Sequence, residues 1–136
     1  MFEQDAEVLR RTVDAVNRGD RSAFLALSDP GLENIPPRQW PESEPIRGRE
    51  AVWRFYTEAN NLWEETSFEV AELVDVGDGR IVAHLRQEVQ GKMSGARVRF
   101  SYWLLATARN GKGRRLEWFA DRGEALAAGR ANRGTG

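Results

Sequence analysis

From Arg80 to Asp121 the chain reads as three consecutive long strands: Arg80 to Gln90, Arg97 to Arg109 and Arg114 to Asp121. In the first, Ile81, Ala83, Leu85, Gln87 and Val89 share one face, and Val82, His84, Arg86, Glu88 and Gln90 share the other. That is the period-two alternation of a half-buried antiparallel strand. The breaks are rich in glycine, at Gly91 to Gly95 and Asn110-Gly111-Lys112-Gly113, which is hairpin chemistry. At ~3.3 Å per residue the first two strands each run for over ~30 Å. Sheets that long twist and curl, so one face becomes concave. The residues upstream must fill or cover that hollow.

Upstream, residues 3 to 18 carry Ala6, Leu9, Val13 and Val16 at helical spacing, with Val8, Thr12 and Ala15 widening the apolar stripe. Gly19 ends this helix in the left-handed region, and Asp20 caps a shorter one bearing Ala23, Phe24 and Leu27. Asp29-Pro30-Gly31 reads as a turn, and Leu32 to Ile35 as a short strand stopped by Pro36-Pro37. Pro36 to Arg47 is the longest irregular stretch and holds four of the five prolines. Trp40 in its middle either folds onto the body or stands at a pocket mouth. Gly48 to Glu64 is the second strong helix, with Val52, Phe55, Tyr56, Ala59, Leu62 and Trp63 at helical spacing. Phe68 to Val76 is a strand that Gly77-Asp78-Gly79 turns into the opening sheet. After Asp121, Arg122 to Ala128 forms a short helix that Gly129 terminates. The expected organisation is a single domain over residues 1–129 and a flexible tail over 130–136. Helices segregated to one face of an antiparallel sheet define an α+β fold, here a cone with an apolar cavity between its layers.

Bulk properties narrow the function. At 136 residues the chain is one domain, long enough to bury roughly two-thirds of its unfolded surface. Twenty Lys and Arg against 21 Asp and Glu give no basic patch for nucleic acid and no acidic tail. Without cysteine, disulfides and thiolate metal sites are excluded. A single histidine argues against an imidazole-based metal centre; no metal and no cofactor are expected. The acidic start Met1-Phe2-Glu3-Gln4-Asp5 has no apolar run behind it, so no signal peptide is read there. No stretch approaches ~18 apolar residues, so no membrane span is expected, and the protein is expected to be cytoplasmic.

Three short pieces carry a family resemblance: Val13-Asp14-Ala15-Val16-Asn17-Arg18-Gly19-Asp20, Arg47-Gly48-Arg49-Glu50-Ala51-Val52 and Asp121-Arg122-Gly123-Glu124-Ala125-Leu126. In order and spacing they resemble the SnoaL-like branch of the nuclear transport factor 2-like superfamily. The resemblance implies a curved antiparallel sheet wrapped around N-terminal helices into a cone with a deep pocket. It also implies frequent homodimers through the outer sheet face, and often no cofactor. It does not imply one activity: isomerases, cyclases, dehydratases, epoxide hydrolases and non-enzymes share the fold. By the ketosteroid isomerase pattern, the tyrosine of the first helix corresponds to Thr12 here. The base aspartate falls at or next to Asn34 and the second acid near Trp103. Only the supporting tyrosine is matched, by Tyr56. Both acids are absent, which argues against steroid isomerisation. The polyketide cyclase pattern keeps an acid–base aspartate in a Trp-x-x-Asp context, and Trp118-Phe119-Ala120-Asp121 matches its spacing. Asp121 is the one catalytic candidate, though Asp121 and Glu124 also form the Asp-x-x-Glu signature of a helix cap.

The remaining candidates concern binding. Gln87 interrupts an apolar row; it either anchors a ligand or is a buried amide satisfied by its neighbours. His84 sits on the opposite face with Arg86 and Glu88, outside the cone. Trp118 shares the inward row with Leu116 and Ala120. On the preceding strand Phe100, Tyr102 and Leu104 compete with Ser101, Trp103 and Leu105 for the inside, and the isomerase alignment favours Trp103. The expected pocket comprises Tyr56, Trp63, Trp103 and Trp118 as aromatic lining, Gln87 and Asn34 as polar anchors, and Trp40 at its mouth. It suits a small, mostly apolar ligand, with any catalysis being cofactor-free acid–base work. The rival expectation is a non-enzymatic dimeric module whose cavity is filled by its own side chains. Its interface would then use His84, Arg86 and Glu88 with the competing row Phe100, Tyr102 and Leu104.

Overall fold

A computed structural model, describing residues 2–40 and 44–131, has ten elements. They are α1 (Phe2–Arg18), α2 (Arg21–Ala26), β1 (Ser28–Ile35), β2 (Ile46–Arg47), α3 (Arg49–Asn60), β3 (Glu65–Gly77), β4 (Arg80–Gln90), β5 (Arg97–Arg109), β6 (Lys112–Phe119) and α4 (Arg122–Ala131). The strands form one sheet in the order β2-β1-β6-β5-β4-β3. The run β3 to β6 is an antiparallel meander, and β1 joins β6 in parallel. This is the expected α+β cone, a curved sheet wrapped around N-terminal helices.

The tight hairpins follow from local chemistry. Asp78 and Gly79 have φ of 57° and 74°, and Asn110 and Gly111 have 54° and 76°. Both pairs are two-residue loops with positive φ throughout, whose twist matches that of the flanking strands. Gly79 is obligatory for a second reason: a Cβ there would lie 2.5 Å from the Ala108 carbonyl oxygen.

Irregular pairing bends the sheet. Val70 faces Leu85 and Glu72 faces His84, leaving Ala71 as an extra residue. On β6, Arg115 faces Thr107 and Gly113 faces Ala108, leaving Arg114 extra. Such bulges kink a strand and sharpen its twist. Asp29-Pro30-Gly31, expected as a separate turn, lies inside β1, where pairing with β6 shifts between Ser28 and Glu33. There the Asp29 carboxylate accepts the Gly31 N–H at 2.8 Å. β6 starts and ends two residues earlier than expected, because Lys112 pairs directly with Arg109 across the Asn110-Gly111 turn.

Two cores flank the sheet. On the concave side Ala6, Leu9 and Ala15 of α1 and Phe24 of α2 pack with Val52 of α3 over Ile81, Ala83, Leu85, Leu104, Ala106 and Leu116. On the convex side Ala125 and Leu126 of α4 pack on Val76, Val82 and Leu105, with Trp103 and Phe119 alongside. The expectation that every helix lies on one face is thereby corrected. Gly129 does not end α4 either. It is buried inside the helix, where a Cβ would come within 2.9 Å of Val76 Cγ2, so glycine permits close helix–sheet contact. The helix runs through Arg130 to Ala131; the rest of the expected tail, 132–136, lies outside the described residues.

Candidate functional site

Toward the open end of the cone α3 and the concave face do not close on one another, and a cavity of about 240 Å³ remains between them. Trp40, Phe55, Leu62 and Phe100 form its solvent-exposed rim. Trp63, Tyr56, Phe68, Tyr102 and Trp118 line it with the buried amides of Asn34 and Gln87. Trp63 rests tilted against Phe100, centroids 6.1 Å apart, and Tyr102 meets Trp118 edge to face at 5.7 Å, an arrangement aromatic pairs prefer. A smaller void of about 60 Å³ shares Tyr56, Phe68 and Trp118 with the cavity and is otherwise lined by residues that include Leu9, Val13, Leu85 and Leu104. Thr12 also reaches this void, but its hydroxyl is held by the Val8 carbonyl at 2.7 Å.

Two hydrogen-bonded groups hold the polar atoms of the wall. Asn34, 1% exposed, accepts with Oδ1 from the Tyr56 hydroxyl at 2.5 Å and from Trp118 Nε1 at 2.7 Å. These bonds tie β1, α3 and β6 together. Gln87, 6% exposed, donates from Nε2 to Thr66 Oγ1 at 2.9 Å and accepts the Tyr102 hydroxyl at 2.8 Å. It links β3, β4 and β5. Buried amides need partners, and here each has two. Burial pushes the Tyr56 phenol far above its ordinary range, against a smaller opposing pull from the Trp118 N–H. Burial likewise raises Tyr102. Both phenols are therefore neutral at physiological pH. Among the described lining residues of this cavity there is no Asp, Glu, His, Lys or Arg. No cluster of three potential metal ligands occurs among the described residues, and none of their helices is long and apolar enough to cross a membrane.

Asn34, Trp40, Tyr56, Trp63, Gln87 and Trp118 all line this cavity. Trp103 does not. It lies on the convex face, stacked on His84 at 4.3 Å and 10°, beside the α4 core. The cause is the bulge at Arg114. A plain hairpin with Arg109 opposite Lys112 would set Trp103 across from Trp118, but the extra residue sets Leu104 there instead. A one-residue slip exchanges the faces of a strand. Phe100, Tyr102 and Leu104 are consequently the inward row and cannot form an outer interface. Tyr102 and Phe100, with Phe68 and Phe55, are the aromatic lining residues missing from the sequence-based pocket. Only the bulge decides the first two, and an extra arginine in a strand leaves no readable trace. Asp121 is exposed and its carboxylate accepts the Glu124 N–H at 2.8 Å; it caps α4 and is not among the cavity's lining residues. His84 is outside the cone as expected, with Nε2 3.1 Å from Ser101 Oγ. The uncovered convex strip carries paired charges, Arg97 and Arg99 with Glu88 and Arg97 with Glu65.

A curved sheet around helices, with an apolar hollow at its open end, defines a nuclear transport factor 2-like cone. A family model described as the SnoaL-like domain matches residues 9–116, and the chain belongs to that family. Among solved structures it is similar to TerC co-crystallised with polyporic acid (17% identity, TM-score 0.73, covering 91% of this chain and 98% of that one). It is also similar to a nuclear transport factor 2-like protein of unknown function from Burkholderia pseudomallei (18%, TM-score 0.71, 91% and 95% covered). A third is a Mycobacterium tuberculosis protein in complex with estradiol-17beta-hemisuccinate (15%, TM-score 0.73, 87% and 94% covered). At these identities the likeness concerns the fold. No curated protein matches the chain.

Proposed function

We propose that this protein binds a small, flat, mostly apolar molecule in the aromatic cavity. The observation that carries the reading is the unfilled space of about 240 Å³ walled by indole, phenol and phenyl rings, in a fold whose solved neighbours include complexes with polyporic acid and an estradiol derivative. Such a pocket is apolar with a few convergent polar groups, as small-molecule sites generally are. Isomerase, cyclase or hydrolase work would need an acid or base inside the cavity, and the phenols of Tyr56 and Tyr102, both raised by burial, are its only titratable groups among the described residues. The reading is therefore of a binding protein. Native mass spectrometry of the purified protein, together with equilibrium dialysis against naphthalene, tests it. A co-purified small molecule, or saturable naphthalene binding, is expected; the absence of both overturns it.

In the same reading the protein works in the cytoplasm, and a homodimer through the outer sheet face would rest on the charged strip Arg86, Glu88, Arg97 and Arg99. Light scattering in rising salt checks the latter: dimer mass should fall as the ion pairs are screened, and a monomer at low salt removes the dimer.

A further inference from the structure

The bonds around Asn34 fix the direction in which Tyr56 can bond a ligand. An indole N–H only donates, so the Asn34 atom 2.7 Å from Trp118 Nε1 is the carbonyl oxygen. The same oxygen is bonded to the Tyr56 hydroxyl. A carbonyl carries no proton, so the phenol supplies its own. Tyr56 thus stands in the cavity wall with its proton committed, and toward a ligand its oxygen is an acceptor. Turning that proton away would leave two bare oxygens in contact. The Asn34 amide nitrogen has no hydrogen-bond partner among the described residues, although the residue is 1% exposed. An acceptor beside a donor matches a group that both donates and accepts.

We infer that the cavity selects alcohols and phenols, with the ligand hydroxyl donating to Tyr56 and accepting from the Asn34 amide. This rests on the reading of the cavity as a ligand site and adds the chemical class. A ketone or ether of the same shape brings lone pairs against the Tyr56 lone pairs. A carboxylate or enolate does so with a full charge and meets no cation in the described lining. Tyr56 therefore cannot act as an oxyanion-stabilising donor, because an oxyanion hole requires donors aimed at the developing charge.

Equilibrium dialysis with naphthalene, 2-naphthol and 2-methoxynaphthalene separates the two claims. All three are expected to bind, 2-naphthol about tenfold more tightly than the ether, the effect of one net hydrogen bond. Tyr56→Phe provides the second arm: the ratio falls while naphthalene, the folding control, still binds. If the ether binds as tightly as 2-naphthol while naphthalene also binds, the selection for hydroxyls is wrong and the pocket stands. If none of the three binds, both readings fall.

Discussion

The concave face is one surface with two halves, written by the same strands. In the closed half, Ile81 and Ala83 of β4 and Leu104 and Ala106 of β5 lie beneath α1 and α2 and are at most 8% exposed. A few residues along the same inward rows stand Gln87, Tyr102 and Phe100, the last 37% exposed. Period-two alternation serves both halves equally, so it does not distinguish core from cavity. The side chains do: small aliphatics pack to crystal-like density, whereas rings and amides stand where α3 and the sheet leave a gap. The binding site is the part of the core whose two layers do not meet.

Substitutions can break or sharpen that contrast. The largest effect is expected in the closed half. Phe24 is fully buried, 5.1 Å from Trp53 and 6.2 Å from Tyr56 between ring centroids. Phe24→Ala should cost about 3–5 kcal/mol in chemical denaturation; a loss below about 1 kcal/mol would mean this half is not a sealed core. At the seam, Asn34→Leu keeps the volume but strips the acceptor from the Tyr56 hydroxyl and the Trp118 N–H. Leaving buried donors unpaired should cost about 1–3 kcal/mol, and a neutral outcome would show that the network is not a structural tie. In the open half, Trp63→Ala loses little more than its tilted contact with Phe100, about 0.5–1.5 kcal/mol. Naphthalene affinity should nevertheless fall by about tenfold, as loss of an aromatic anchor costs more than ~1 kcal/mol of binding. Equal losses in stability at Phe24 and Trp63 would erase the distinction between the halves.

The smallest effect is one of pH. Tyr56 and Tyr102 are the only two tyrosines, and burial raises both above the ordinary value of 10.0. The unfolded chain sheds these protons as pH passes about 10 while the folded chain keeps them, so their contribution to stability is complete below that pH and declines above it. An ultraviolet titration should place both phenol midpoints in the folded protein above 10.0. A midpoint at or below that value would mean that the phenol concerned is in contact with water.

Much of this was legible in the chain. The limits of β4 and β5 follow from alternation between glycine-rich breaks, and the Asp20 and Asp121 caps from an acid ahead of a helix. Tyr56 and Trp118 meet at the cavity because helical spacing and strand alternation each fix a face. What escaped depends on counting residues between pairs across the sheet. The face of Trp103 turns on one extra residue at Arg114, and nothing in the identity of an arginine in a strand announces that it is unpaired. Gly129 has the composition of a helix stop, but the closeness of Val76 rather than a change of backbone explains it. Asp121 satisfies a catalytic spacing and a capping spacing alike, and only the position of the Glu124 N–H decides between them.

The unpaired Arg114 has an outcome of its own. Removing that single residue would leave every pair around it as it is, Thr107 still opposite Arg115 and Leu104 still opposite Trp118, so the rings of the wall keep their places and the sheet loses only the kink. A one-codon deletion at Arg114 would thus flatten the bowl without refurnishing it, which makes its depth adjustable apart from its lining.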